Sequence, residues 1–81
     1  MEDKARVKDL CGLSLGCVGR IKAVSLPSAD RCRLCELGFN PGSGVVRLGT
    51  AALGDPLVFL ARDRMVAIRK RDARKIFIFE E

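Results

Sequence analysis

Arg33-Leu34-Cys35-Glu36-Leu37-Gly38-Phe39-Asn40-Pro41-Gly42 holds a short helix, its stop signal and a tight turn in ten residues. With Gly38 as the left-handed residue just past the helix, Phe39 is placed to pack back on Leu34, the apolar contact that accompanies a Schellman stop. Asn40-Pro41-Gly42-Ser43 then reads as a type II turn, in which Pro41 fixes φ and Gly42 supplies the positive φ. The segment sets a helix against a strand and contains no catalytic apparatus.

Upstream, Val18 to Leu26 reads as a strand whose apolar face switches midway. Ile21 and Ala23 share one face and Val24 and Leu26 the other, which predicts a bulge or sharp bend. Pro27 to Asp30 ends it and offers Ser28 or Asp30 as N-cap for a helix from about Asp30 to Leu37. Val7, Leu10 and Leu13 recur at threes in a charged N-terminal segment of the kind that plugs one end of a small barrel. Downstream, Val45 to Gly49 is a strand and Leu57 to Arg62 another, apolar on both faces. The bend at Arg62-Asp63-Arg64 returns the chain into Met65 to Arg69, a hairpin. Lys70 to Lys75 has the composition of one helical turn, and Ile76-Phe77-Ile78-Phe79 makes a last strand. Five strands, one short helix and a C-terminal helical turn predict a mainly β fold, a small and nearly closed barrel. The expected core includes Leu34, Leu37, Phe39, Val46, Ile68 and Ile76.

Four stretches together resemble a known family. Gly19-Arg20-Ile21, Arg-Leu-x-Glu-Leu-Gly-Phe-x-Pro-Gly at 33 to 42, Gly54-Asp55-Pro56 and the run Ala67 to Ile76 are similar, in that order over about Val7 to Phe79, to the ferrous iron transport protein A (FeoA) family. The resemblance implies an SH3-like barrel with helical additions. It also implies an accessory or regulatory role in bacterial ferrous iron uptake, docked on the cytoplasmic part of a membrane iron transporter that carries a GTPase domain. Asp63 departs from the pattern, standing where the family has Gly, although Asp tolerates left-handed backbone better than most residues. The four cysteines are not part of the resemblance.

Composition bounds the rest. Eighty-one residues suffice for one domain, residues 1 to 81, with 48 % hydrophobic residues. The longest apolar stretch, Leu57 to Ala61, is far short of the roughly 20 residues of a membrane span. The charged start Met1-Glu2-Asp3-Lys4-Ala5-Arg6 does not read as a signal peptide, so a cytoplasmic protein is expected. The chain starts at Met and ends just past its last strand, as a full-length protein would. A net charge of +5 suggests solubility or an acidic partner.

The chain has no histidine, which removes Ser-His and Cys-His nucleophile pairs and the usual neutral-pH base. Glu36, Asp55 and Asp72 lie where structural roles are expected, and Leu15 to Arg20 lacks the Lys-Ser/Thr of a phosphate loop. No enzymatic activity and no cofactor are expected. Cys11, Cys17, Cys32 and Cys35 raise a metal hypothesis, with Cys32 and Cys35 as C-x-x-C. At about 100° per residue these two fall opposite Leu34 and Leu37 and face solvent, while Cys11 and Cys17 follow a different spacing. Ordinary reduced thiols are the expectation, with Cys32, between Arg31 and Arg33, the most reactive.

For partner binding the candidates are Leu57 and Phe59 on the third strand, the turn with Phe39 and Pro41, and the basic residues Arg71 and Arg74. Leu57, Phe59 and Ala61 share one face of that strand and Val58 and Leu60 the other; only one face can fully enter the core, and the sequence leaves open which of them docks. The alternatives are nucleic-acid binding by the run from Arg62 to Lys75, and an iron or zinc protein using Cys32 and Cys35. Without Trp or Tyr, base stacking is poorly supplied, and no nucleic acid is expected. An exposed last strand or surface thiols would promote homo-oligomers.

Overall fold

Six short strands and two helices make up residues 7–81, the part of the chain described by the computed structural model. In order these are β1 (Val7–Asp9), β2 (Val18–Val24), α1 (Ser28–Leu37), β3 (Gly44–Thr50), β4 (Leu57–Ala61), β5 (Arg64–Ile68), α2 (Lys70–Ala73) and β6 (Ile76–Glu80). Two 3-10 turns, Leu10–Gly12 and Ala52–Gly54, lie in the connections. All pairings are antiparallel, in the order β1-β6-β2-β3-β4-β5, and among the described residues β5 does not pair with β1. The expected barrel is therefore barrel-like but open at that seam.

The helix stop forms as read. Gly38 has φ 108°, its N–H donates to the Cys35 carbonyl at 3.1 Å, and the Phe39 N–H reaches back to the Leu34 carbonyl at 2.9 Å, the two bonds of a Schellman motif. Glycine is required here twice over, because a Cβ would also stand 3.0 Å from Arg62 Cγ and 3.3 Å from Ala61 Cβ. In the turn that follows, Gly42 has φ 91° and the Ser43 N–H donates to the Asn40 carbonyl at 2.8 Å. Reciprocal bonds of 2.8 Å, Gly42 N–H to the Ile21 carbonyl and Ile21 N–H to the Ser43 carbonyl, dock the turn on β2. Arg20 donates to the Gly42 carbonyl at 2.9 Å and to Glu81 at 2.6 Å, which ties the turn to the C-terminus.

The β2 bulge is also present: the register against β6 shifts between Ile21 and Ala23, so both Ile21 and Val24 are buried. The β4–β5 hairpin turns on Arg62 (φ 51°) and Asp63 (φ 65°), a left-handed pair that accepts Asp in place of Gly. Asp55 has a structural role, its carboxylate accepting the Lys70 backbone N–H at 3.0 Å at the start of α2.

Several expectations need correction. α1 starts at Ser28, and neither Ser28 nor Asp30 caps it with a side chain; Pro27 stands at the N-cap and Asp30 bonds Arg33 at 3.0 Å instead. Leu34 and Leu37 are half-buried, packed against the core rather than inside it. In β3 the buried residue is Val45, not Val46, a one-residue difference that reverses the strand's faces. The N-terminal segment does supply a plug, Leu10 and Leu13, but Val7–Asp9 is a sixth strand paired with β6. The last strand is thereby flanked on both sides, and among the described residues the sheet edges are β1 and β5. The expectation about residues 1–6 lies outside the described residues. Among the described residues no helix is long and apolar enough to cross a membrane.

Candidate docking groove

The hairpin β4–β5 builds an apolar row on the outer face of the sheet. Alternation along β4 sends Leu57, Phe59 and Ala61 inward, each 1 % exposed or less, and leaves Val58 and Leu60 half-buried on the outer face. Register then builds an outer row across four strands: Val18 stands opposite Val46, Val46 opposite Leu60, and Leu60 opposite Met65. Met65 ends the row at 75 % exposure. Val58 and Ala67, paired beside it, widen the apolar surface. Paired residues on one face lie close enough to act as a single patch.

Round the β5 edge, the patch meets a groove of about 520 Å³ between α1 and β5. Its apolar wall is Leu26, Leu34 and Leu37 on one side and Val66 and Ile68 on the other. Arg33, Arg69 and Arg71 stand on the rim with Asp30 and Asp72. Asp30 is engaged by Arg33, and Arg71 Nε lies 3.9 Å from Asp72. A smaller cavity of about 310 Å³ lies behind the Schellman turn, lined by Val24, Arg31, Cys32, Cys35, Phe39, Asn40 and Pro41.

The residues expected to bind a partner are thus divided. Leu57 and Phe59 are core residues, and so is Phe39 at 1 % exposure, because the residue after a Schellman glycine turns back toward the body of the protein. Leu57 and Phe59 face the interior, whereas Phe39 also lines the smaller cavity. Pro41 is exposed on the turn and lines the smaller cavity. Arg71 is on the groove rim, whereas Arg74 does not line it and faces Cys11 closely enough to favour that thiolate. Of the outer row, Leu60 lies on the alternative face that the sequence left open, whereas Val46 and Met65 were not singled out for it, and their only signal is register with β4.

All four cysteines are free thiols, Cys32 and Cys35 exposed and Cys11 and Cys17 half-buried. Cys32 lies in the second turn of α1. Cys35 contacts the Asn40 side-chain oxygen, and Asn40 Nδ2 donates to the Cys35 carbonyl at 3.1 Å. Burial, first, and then Asp9 push the Cys11 thiol above its ordinary pKa, against the opposing pull of Arg74, Lys70 and Arg47. Among the described residues no group of three or more Cys, Asp or Glu side chains is disposed to hold a metal ion.

Comparison with known proteins places this architecture. A family model described as the FeoA domain matches residues 8–79. The FeoA protein from Chlorobium tepidum superposes with a TM-score of 0.82 at 28 % identity, over 88 % of this chain and 68 % of that one. Iron(II) transport protein A from Clostridium thermocellum gives 0.80 at 32 %, over 88 % of this chain and 44 % of its own. A crystal structure of an FeoA described as an iron uptake regulatory protein gives 0.79 at 21 %, over 94 % and 99 %, a likeness of fold alone. These neighbours share the SH3-like fold. No curated protein sequence matches the chain.

Proposed function

This chain belongs to the FeoA family, which is associated with ferrous iron uptake, and from that membership we propose that it is a non-enzymatic cytoplasmic accessory protein of a membrane ferrous iron transporter. It docks on the transporter's cytoplasmic GTPase part through the outer row of β3, β4 and β5 and the adjoining groove. The observation that carries this reading is the row from Val18 to Met65: four apolar residues in register on a face that no other element covers at Met65. Apolar anchors in a groove supply most of the energy of such contacts, and the basic rim tunes encounter.

The same geometry disfavours nucleic acid. Phe39 and Phe59 are buried and Phe77 and Phe79 half-buried, which leaves little aromatic surface for stacking bases, and Arg74 does not line the groove that Arg71 rims. Titration of the chain into the transporter's purified cytoplasmic GTPase domain tests the proposal. Saturable one-to-one binding is expected; absence of binding, with tight salt-sensitive binding to single-stranded RNA, overturns it.

A further inference from the structure

β5 is an edge strand whose unpaired side opens onto the groove. In a hairpin closed by two residues the pair flanking the loop exchanges both ladder bonds, and bonded and non-bonded pairs alternate from there. Ala61 with Arg64, Phe59 with Val66 and Leu57 with Ile68 are then the bonded pairs. The N–H and C=O groups of Met65 and Ala67 consequently point away from β4, at the sheet edge. Among the described residues β5 pairs with β4 alone.

Proteins blunt such edges with Lys, Pro or a bulge. Met65-Val66-Ala67-Ile68 has none of these: no charge, no proline, and an unbroken register against β4. The two faces flanking the edge are both apolar, Met65 and Ala67 outside, Val66 and Ile68 toward Leu34 and Leu37. Charge closes both ends. Arg62 and Arg64 precede the open stretch, Arg69 and Arg71 follow it, and Arg33 stands across the groove, against Asp30, Asp63 and Asp72. A second copy paired antiparallel at this edge would bring its own Arg excess against this one, whereas a strand with carboxylates at both ends is attracted.

We propose that β5 receives a seventh strand, an extended segment of the partner that is apolar in its middle and carries Asp or Glu at both ends. Its backbone completes the bonds of Met65 and Ala67, and its side chains alternate between the outer row and the α1 groove. Which protein supplies the segment rests on the docking reading above.

Two probes test it, the transporter's cytoplasmic GTPase domain and a synthetic peptide of about nine residues with alternating Val and Thr between paired Glu. Hydrogen exchange at Met65 and Ala67 is followed with each, for the wild type and for Ala67→Pro. That variant removes an edge-facing N–H and leaves the β4 ladder intact. Protection of both amides, with binding weakened about tenfold or more in Ala67→Pro, is the expected result. Met65→Lys, which blunts the edge from its exposed face, should show the same loss and serves if Ala67→Pro does not give a folded circular dichroism spectrum. Domain binding without protection, and unaffected by either variant, overturns strand addition while docking stands. If the domain does not bind at all, docking fails and the peptide decides: protected amides sustain strand addition, and unprotected amides overturn it. Protection that appears with chain concentration alone, alongside a dimer in sedimentation, overturns it in favour of a second copy.

Discussion

The ring of Phe39 meets the ring of Phe59 edge to face, with centroids 6.2 Å apart and planes at 86°. One residue follows the helix stop and the other is the centre of β4, so the contact fastens the stop of α1 to the β4–β5 hairpin that carries the proposed docking surface. Phe39→Ala should cost about 3 to 5 kcal/mol in urea unfolding. A double-mutant cycle with Phe59→Ala should return a coupling of about 0.5 to 1.5 kcal/mol. Leu34→Ala, at a half-buried site, should cost less than the roughly 2 to 5 kcal/mol of a fully buried leucine.

Asp55→Ala removes the only side-chain acceptor that the described residues give the Lys70 N–H, and should cost about 0.5 to 2 kcal/mol, as loss of a helix cap does. Asp55→Asn should recover much of it, because the bond needs an acceptor oxygen rather than a charge. Parallel thermal melts of the two variants check this.

Lys8 Nζ bonds Glu80 Oε1 at 2.5 Å, joining β1 to β6, and this bond holds the Glu80 carboxyl below its ordinary pKa. A carboxyl lowered in the folded state adds stability above its unfolded pKa, about 4.3, and loses it as pH falls through the folded value. Lys8→Met should therefore lower stability at neutral pH, and the gap from wild type should close in acid. Denaturant midpoints measured from pH 7 to pH 3 would show it; a gap that widens in acid contradicts the pairing.

Among the thiols, Cys32 should react first with iodoacetamide. Cys35 should follow, held by its contact with Asn40, and Cys11 should lag because burial raises its pKa. Peptide mass mapping over a time course gives the order. Under anaerobic reduction, zinc or ferrous iron should not bind one per chain; tight binding lost in both Cys32→Ser and Cys11→Ser would overturn the reduced-thiol reading.

What was legible in the sequence was what local chemistry decides. Gly38, Pro41 and Gly42 announce their conformations within a few bonds, and the Arg62-Asp63 hairpin and the β2 bulge follow from neighbours in the chain. The pairing of Val7 with Phe79 joins the two ends of the chain, and three residues at the start carry too little pattern to announce a strand. Parity failed for a related reason. Where Val45 and Val46 are both apolar, or all of Leu57 to Ala61 is, a period of two separates the faces without saying which is inward. That sign depends on long-range register. The sequence therefore could not choose between Leu57 with Phe59 and Val58 with Leu60, and in the fold the first pair turns inward and the second outward, while Arg71, judged from charge alone, does reach the groove.

Arg71→Ala should slow association with the GTPase domain a few-fold and flatten its salt dependence, as a rim charge does. Arg74→Ala should do neither, since it lies off the groove. Stopped-flow association at two ionic strengths separates them.

The most direct test is calorimetric titration of the transporter's cytoplasmic GTPase domain with wild type and with Leu60→Lys. This substitution places a positive charge at the centre of the outer row, on the half-buried outer face of β4 rather than in the core. If the apolar row is the docking surface, binding is lost while the circular dichroism spectrum is unchanged. Binding as tight as wild type, or tighter, would contradict the account and assign the interaction to the chain's basic charge.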